Sequence, residues 1–141
     1  MSVEWRPTEL SRQESLRMLA TVPLGRIVFT MRALPAVHPV RHIIDGDDLI
    51  IRSSIAPATS AAFSSAAGAA VVAYQADSID TGTFTGWSVV VTGLAQLVTD
   101  ASELARYQEK LSPWEFGEAD YVIRIRPELI TGIRLGGAAP L

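Results

Sequence analysis

The chain has 141 residues, is 48% apolar and 19% charged, and contains no cysteine. Those values suit a single folded domain, 1–141, with a real core, and exclude disorder, disulfides, thiolate catalysis and thiolate-held metals or clusters. A net charge of −3 without a basic cluster argues against nucleic acid as a partner.

The N-terminal MSVEWRPTEL carries an early acid and no apolar stretch, so no secretory signal is expected. The first element is predicted to be a helix. Ser11 can cap it and Glu14 follows at the capping-box spacing, while Leu16, Leu19 and Ala20 make one apolar stripe. Pro23 and Gly25 end it, and RIVFTM, Arg26 to Met31, then reads as a strand.

The segment from Leu34 to Ser60, LPAVHPVRHIIDGDDLIIRSSIAPATS, reads as strand, turn, strand and the opening of a helix. Ala36 to Ile44 is rich in β-branched residues, Asp45-Gly46 supplies the turn, and Leu49-Ile50-Ile51 returns. The second limb ends in Arg52-Ser53-Ser54, and Pro57 suits a first helical position. A strand that delivers hydroxyls and an arginine to a helix N-terminus is a candidate anion cradle, because free backbone N–H groups point outward there. The helix itself, roughly Pro57 to Ala67, is mostly alanine and serine around Phe63, with Gly68 as its stop.

Ala69 to Gln75 reads as an apolar strand, followed by a polar loop, Ala76 to Gly86. A loop of that length inside a compact domain is expected to be functional. The apolar run from Ala66 to Tyr74 is too short to span a bilayer, so a cytoplasmic protein without a membrane partner is expected. Trp87 to Val98 is the longest strand candidate, and Gly93 within it signals a bulge or a close approach. Asp100 and Glu103 open a helix through about Leu111, which Pro113 closes. Tyr121 to Arg126 and Leu129 to Leu135 read as two strands around a Pro127-Glu128 turn. About seven strands and three short helices, without a βαβ rhythm, predict a mainly β, antiparallel barrel with helical additions.

His38 and His42 stand four apart, but on a strand that spacing spans roughly 13 Å, too far for one ion. No nucleophile elbow, Walker loop or dinucleotide glycine fingerprint occurs. Asp45, Asp47 and Asp48 crowd a turn and read as a solvated tip. Arg41 and Arg52 lie on otherwise apolar limbs of one hairpin, where each needs water, a carboxylate or a bound anion. Trp87 is either a stacking surface for an aromatic ligand or a core anchor.

Several segments together resemble the pyridoxamine 5′-phosphate oxidase-like split barrels, also called flavin/deazaflavin oxidoreductases. They are LGRIVFT, PAVHPVRHIIDGDDLIIRSS, IDTGTFTGWSVVVTGLAQLV and YVIRIRPELITGIRL, in that order from about Leu10 to Leu135. The resemblance implies a Greek-key split barrel of roughly six or seven antiparallel strands, a homodimer, and a cofactor in the groove between subunits. FMN is the usual guest, with a deazaflavin, haem or nothing as alternatives. The strand matching Val40-Arg41-His42 would approach the isoalloxazine, and Arg52-Ser53-Ser54 the ring edge and ribityl chain. Thr59 and Ser60 would meet the phosphate, and Trp87-Ser88 would lie near the site.

Relatives that bind FMN commonly carry a lysine or arginine at the start of that helix, where Thr59 and Ser60 stand here; either Arg52 or an arginine of the second subunit compensates, or FMN binds weakly, a deazaflavin takes its place, or the site is empty. The oxidase proper also has a basic substrate-binding tail; Gly136 to Leu141 does not match it, so vitamin oxidation is not expected. The implied activity is a flavin-dependent oxidoreduction of a small molecule. The alternatives are a non-catalytic flavin or haem binder, with His38 or His42 as axial ligand, and a barrel dimer that has lost its ligand.

Overall fold

Alternation of apolar and polar residues at a repeat of two shapes most of the chain. A computed structural model describes residues 7–53, 69–111 and 121–136. Seven strands run through them: β1 (Thr8–Leu10), β2 (Leu24–Met31), β3 (Leu34–Asp45), β4 (Asp48–Ser53), β5 (Ala69–Asp80), β6 (Thr85–Leu97) and β7 (Tyr121–Leu135). Two helices accompany them, α1 (Arg12–Ala20) and α2 (Ala101–Lys110). The third helix expected near 57–67 lies outside the described residues.

Every strand pairing is antiparallel. The sheet runs β1-β7-β4-β3-β2-β5-β6, and a further β7–β6 ladder closes six of the strands into a barrel. Closure leaves an inside and an outside, and the period-two pattern then sorts side chains between them. Ile27, Val40, Leu49, Ile51, Val72, Tyr74, Val89, Val91, Ile123 and Ile125 fill the interior with Leu19 of α1. A second cluster forms on the outer wall, where Tyr107 and Leu111 cover Ile50 and Val122.

Local signals account for the helix starts. Ser11 Oγ accepts from Glu14 N–H and Glu14 Oε1 accepts from Ser11 N–H, each at 3.1 Å, which completes the expected capping box. Asp100 caps α2 by accepting from Glu103 N–H at 3.0 Å, but the Glu103 carboxylate turns away to Arg124.

Two expectations are corrected, and two features were not anticipated. A short strand, β1, precedes the first helix and pairs with the end of β7. The polar segment 76–86 is mostly ladder: β5 and β6 pair from Ala69↔Gln96 to Asp80↔Thr85, leaving 81–84 as the turn. Asp80 Oδ1 holds that turn by accepting from Gly82 N–H at 2.7 Å and Thr83 N–H at 3.1 Å. The tail is one strand, because Pro127-Glu128 forms a bulge: Thr92 pairs Leu129 while Gly93 pairs Pro127. Gly93 is required at this point, since a Cβ there would strike the Arg126 carbonyl. The β2–β3 hairpin turns on Arg32 and Ala33, at φ +52° and +63°, with neither glycine nor asparagine to announce it.

Candidate functional site

The structure divides the predicted site residues by barrel wall. Val40, His42, Ser53 and Trp87 are buried. Arg41, Arg52 and Ser88 are only half-buried. Ser54, Thr59 and Ser60 lie outside the described residues.

His42 sits in the core at 3% exposure. Its Nε2 lies 2.8 Å from the Leu19 carbonyl, which can only accept, so Nε2 carries the proton. Nδ1 then accepts from the Tyr74 hydroxyl. Burial pushes the imidazole below the ordinary histidine range, against the Leu19 bond, which favours the charged form. Burial also raises the Tyr74 phenol. Gly25 makes the arrangement possible, because a Cβ there would overlap the Tyr74 ring. With both nitrogens engaged, His42 has none to offer a haem iron. His38 stacks on Phe29 with ring centroids 5.5 Å apart. Among the described residues no group of histidines and acids could hold a metal.

Trp87 is buried within the interior cluster. Ser88 accepts from Gln75 Nε2 at 3.3 Å on the outer wall, where Gln75 also receives Arg26 and donates to Asp77.

Arg41 and Arg52 are directly paired across β3 and β4. Arg52 Nη1 donates to the carbonyls of Gln108 at 3.0 Å and Leu111 at 2.7 Å, closing the C-terminal end of α2. Arg41 instead borders a cleft of about 420 Å³ between the turn after α1, the outer side of β3 and the end of α2. Val22, Pro23, Ile43 and Leu111 give the cleft apolar walls, and Lys110 supplies a second cation. Among the described residues its lining contains no carboxylate. Such a cavity suits a flat apolar body that carries an anionic group.

The three carboxylates expected at a solvated tip prove partly structural. Asp45 Oδ2 accepts from the Tyr107 hydroxyl at 2.5 Å and from Arg106 at 3.3 Å. Asp48 pairs with Arg124, 3.5 Å away. Arg124 also donates to Glu103 and to Tyr107 at 2.7 Å, so the network pins α2 to β3, β4 and β7. The Tyr107 bond, ahead of the nearby cations, holds Asp45 below the usual carboxylate range. The sequence reading missed Lys110 and the 21–23 turn. Lys110 carried only the signal of a basic residue in a last helical turn.

A family model for pyridoxamine 5′-phosphate oxidase matches residues 11–134. An uncharacterised protein of Mycobacterium tuberculosis is 49% identical over 128 residues, covering 90% of this chain and 84% of that protein. The crystal structure of a candidate pyridoxamine 5′-phosphate oxidase from Corynebacterium glutamicum is 30% identical with a TM-score of 0.76, covering 92% of this chain and 98% of that one. An FAD-binding protein of Mycobacterium smegmatis is 29% identical with a TM-score of 0.70, covering 92% and 99%.

Proposed function

The chain belongs to the pyridoxamine 5′-phosphate oxidase family, and from that premise we propose that it binds a flavin nucleotide and serves as a flavin-dependent oxidoreductase acting on a small molecule. The observation that carries the reading is the cleft beside Arg41. Apolar walls fit the faces of an isoalloxazine, and Arg41 and Lys110 fit a phosphate or the electron-rich edge of the ring. The similarity to an FAD-binding protein supports the same cofactor class.

The flavin supplies the redox chemistry when bound; the chain supplies binding and orientation. Arg41 and Lys110 draw the anionic part in, and Val22, Pro23 and Leu111 keep water from one side of the ring. FMN is the first candidate and a deazaflavin the second. Haem would have to take His38 as its axial ligand, because both nitrogens of His42 are engaged.

The active form in this reading is a homodimer. Val37, Val28, Ala73, Thr92 and Leu129 form a row across five strands through successive register pairs. Val37 and Leu129, at its ends, are 56% and 59% exposed, and Val71 beside it is 67% exposed. A row of this kind, apolar apart from Thr92, is characteristic of an association surface.

A second reading, a flavin carrier without turnover, is favoured by one observation: among the described residues Arg41, His42 and Lys110 are the only titratable side chains lining the cleft, and His42 is committed to the core. The two readings part in one experiment. The purified protein is titrated with FMN and with a deazaflavin by fluorescence quenching, then tested for reduction by NADH, NADPH and dithionite. Stoichiometric binding with turnover by a nicotinamide donor supports the oxidoreductase. Binding with reduction by dithionite alone supports the carrier. No binding at tens of micromolar, the weak end of specific affinity at about 6 kcal/mol, overturns both.

A further inference from the structure

His42 is a buried titratable group that the flavin reading leaves unused. It is among the residues lining the cleft beside Arg41, yet it is almost fully buried, and its ring stands edge-on to Tyr74 with centroids 5.1 Å apart. Its Nε2–H is held by the Leu19 carbonyl, and its backbone N–H donates to the Pro23 carbonyl at 3.0 Å. The residue is thus tied at two points to the 19–23 segment, whose later part walls the cleft.

The Tyr74 hydroxyl has one proton and two acceptors, His42 Nδ1 and the Val40 carbonyl 3.4 Å away. While the imidazole is neutral, that proton goes to Nδ1. When a proton from solvent occupies Nδ1, the ring donates to the Tyr74 oxygen instead and the hydroxyl turns to the Val40 carbonyl. Nε2 keeps its proton and its bond to Leu19 in both states. The pair can therefore take up a proton without leaving a buried donor or acceptor idle, and the cost that remains is the burial of the charge.

Among the described residues, β3 contributes Arg41 beside the ring and His38 four positions along, and α2 contributes Lys110. From β2, the charge of Arg26 reaches the Tyr74 hydroxyl. β4 sets the apolar Ile51 directly opposite His42, and α1 sets the Leu19 carbonyl. No described carboxylate lines the cleft, so in the free chain no countercharge offsets a proton on His42, and burial keeps the ring neutral. An anion held by Arg41 and Lys110 would supply that countercharge at the edge of a low-dielectric core.

We propose that an anion entering the cleft beside Arg41 draws a proton onto His42, so that ligand binding and protonation of the His42–Tyr74 pair are coupled. This rests on the flavin reading only in taking the ligand of the cleft to be an anion. The coupling is reciprocal: the anion makes the ring more basic, and acid makes the anion bind more tightly.

Nitrogen NMR of the full-length protein, with histidine labelled, follows the ring between about pH 8 and pH 5, without ligand and with FMN bound. The FMN phosphate itself titrates near about pH 6, so sulfate, whose charge is constant there, is the second probe, with chloride at matched ionic strength as the blank. With either probe bound, the His42 midpoint should rise by about one pH unit, and sulfate should bind about tenfold more tightly at the acid end than at the alkaline end. His42→Gln keeps an amide that can donate towards Leu19 and accept from Tyr74, and leaves His38 as the only histidine. This variant should lose the pH dependence of sulfate binding. A His42 midpoint that is the same with and without bound anion would overturn the coupling, as would a pH dependence that survives in His42→Gln. The titration of the native chain decides the matter even if the variant does not fold. Sulfate that raises the midpoint of a chain unable to take FMN would overturn the flavin reading alone. Failure of both anions to bind would overturn both.

Discussion

Arg41 and Arg52 stand directly opposite one another on the β3–β4 ladder, yet their head groups go separate ways. Like charges at such a position destabilise a sheet unless each finds other company. Arg52 finds it in two carbonyls at the end of α2; Arg41 faces the cleft. The same cross-strand pair thus joins a structural cation to a candidate binding cation.

The two arginines should therefore separate by mutation. Arg41→Ala is expected to weaken flavin binding about tenfold or more, because a charge-assisted bond is worth about 1.5–3 kcal/mol. Its urea midpoint should stay unchanged or rise slightly as the like-charge opposition is removed. Arg52→Ala should lower stability by about 1–2 kcal/mol through the loss of the α2 cap, with faster hydrogen exchange at the end of that helix. Equal loss of stability in both variants would contradict the division.

The Asp45–Tyr107 bond makes a pH-dependent clamp on α2. Asp45 is held below its usual value of 3.8 in the folded chain. A lowered acid contributes stability that is complete above the unfolded value and lost as pH falls through the folded one. Acid should therefore loosen α2 from about pH 4 downward. Tyr107→Phe removes the bond, costs about 1–3 kcal/mol near neutrality and flattens the acid limb of the stability curve. Urea titrations between pH 7 and the acid transition of both proteins measure it; parallel limbs would refute the clamp.

His42 gives a second pH effect in a different window. The folded imidazole titrates below the unfolded value of 6.5, so from there downward the unfolded chain binds more protons. Stability should fall as pH drops below about 6.5 and level off beneath the folded value. Nitrogen NMR should show the Nε2-protonated neutral tautomer at pH 7. His42→Leu should abolish this part of the pH dependence and leave Leu19 O and Tyr74 Oη each with only a long bond, to Val22 N–H and to Val40 O at 3.4 Å, at a cost of about 1 kcal/mol for each bond lost. A ring that titrates at or above the ordinary value would show that it is not sealed.

Gly25 carries a steric prediction. Gly25→Ala drives a methyl into the Tyr74 ring and should cost about 1–3 kcal/mol by overpacking. Adding Tyr74→Ala should recover part of the Gly25→Ala penalty, read as a coupling in a double-mutant cycle.

The apolar row across the outer wall gives a test of assembly. Val71→Asp adds a charge to a side chain already 67% exposed, so the monomer fold should tolerate it. Sedimentation should show the native chain as a dimer and the variant shifted to monomer. An unchanged mass would move the interface elsewhere.

Most elements were legible in the sequence because their codes are local. The Ser11–Glu14 box, the Asp100 cap, the Asp45-Gly46 turn and the Gly93 bulge each depend on neighbours within a few residues. The resemblance to a known family carried the split barrel further than periodicity could. Errors arose where a distant partner decided the outcome. Polar residues 76–80 entered a ladder because β6 was there to pair with them, and Pro127 stayed in a strand because β6 could absorb the bulge.

The candidate site divides along the same line. The sequence by itself determined that 36–44 is a strand, and so that Arg41 and His42 must point to opposite sides. It could not say which side is inside, because β4 buries Leu49, Ile50 and Ile51 in succession and offers a core on both walls. Barrel closure and the docking of α2 made that choice. They turned His42 onto Tyr74 and Leu19, and brought Arg41 beside Lys110, sixty-nine positions away in the chain. A period of two records alternation; only the packed layers on either side of a strand give the alternation its sign.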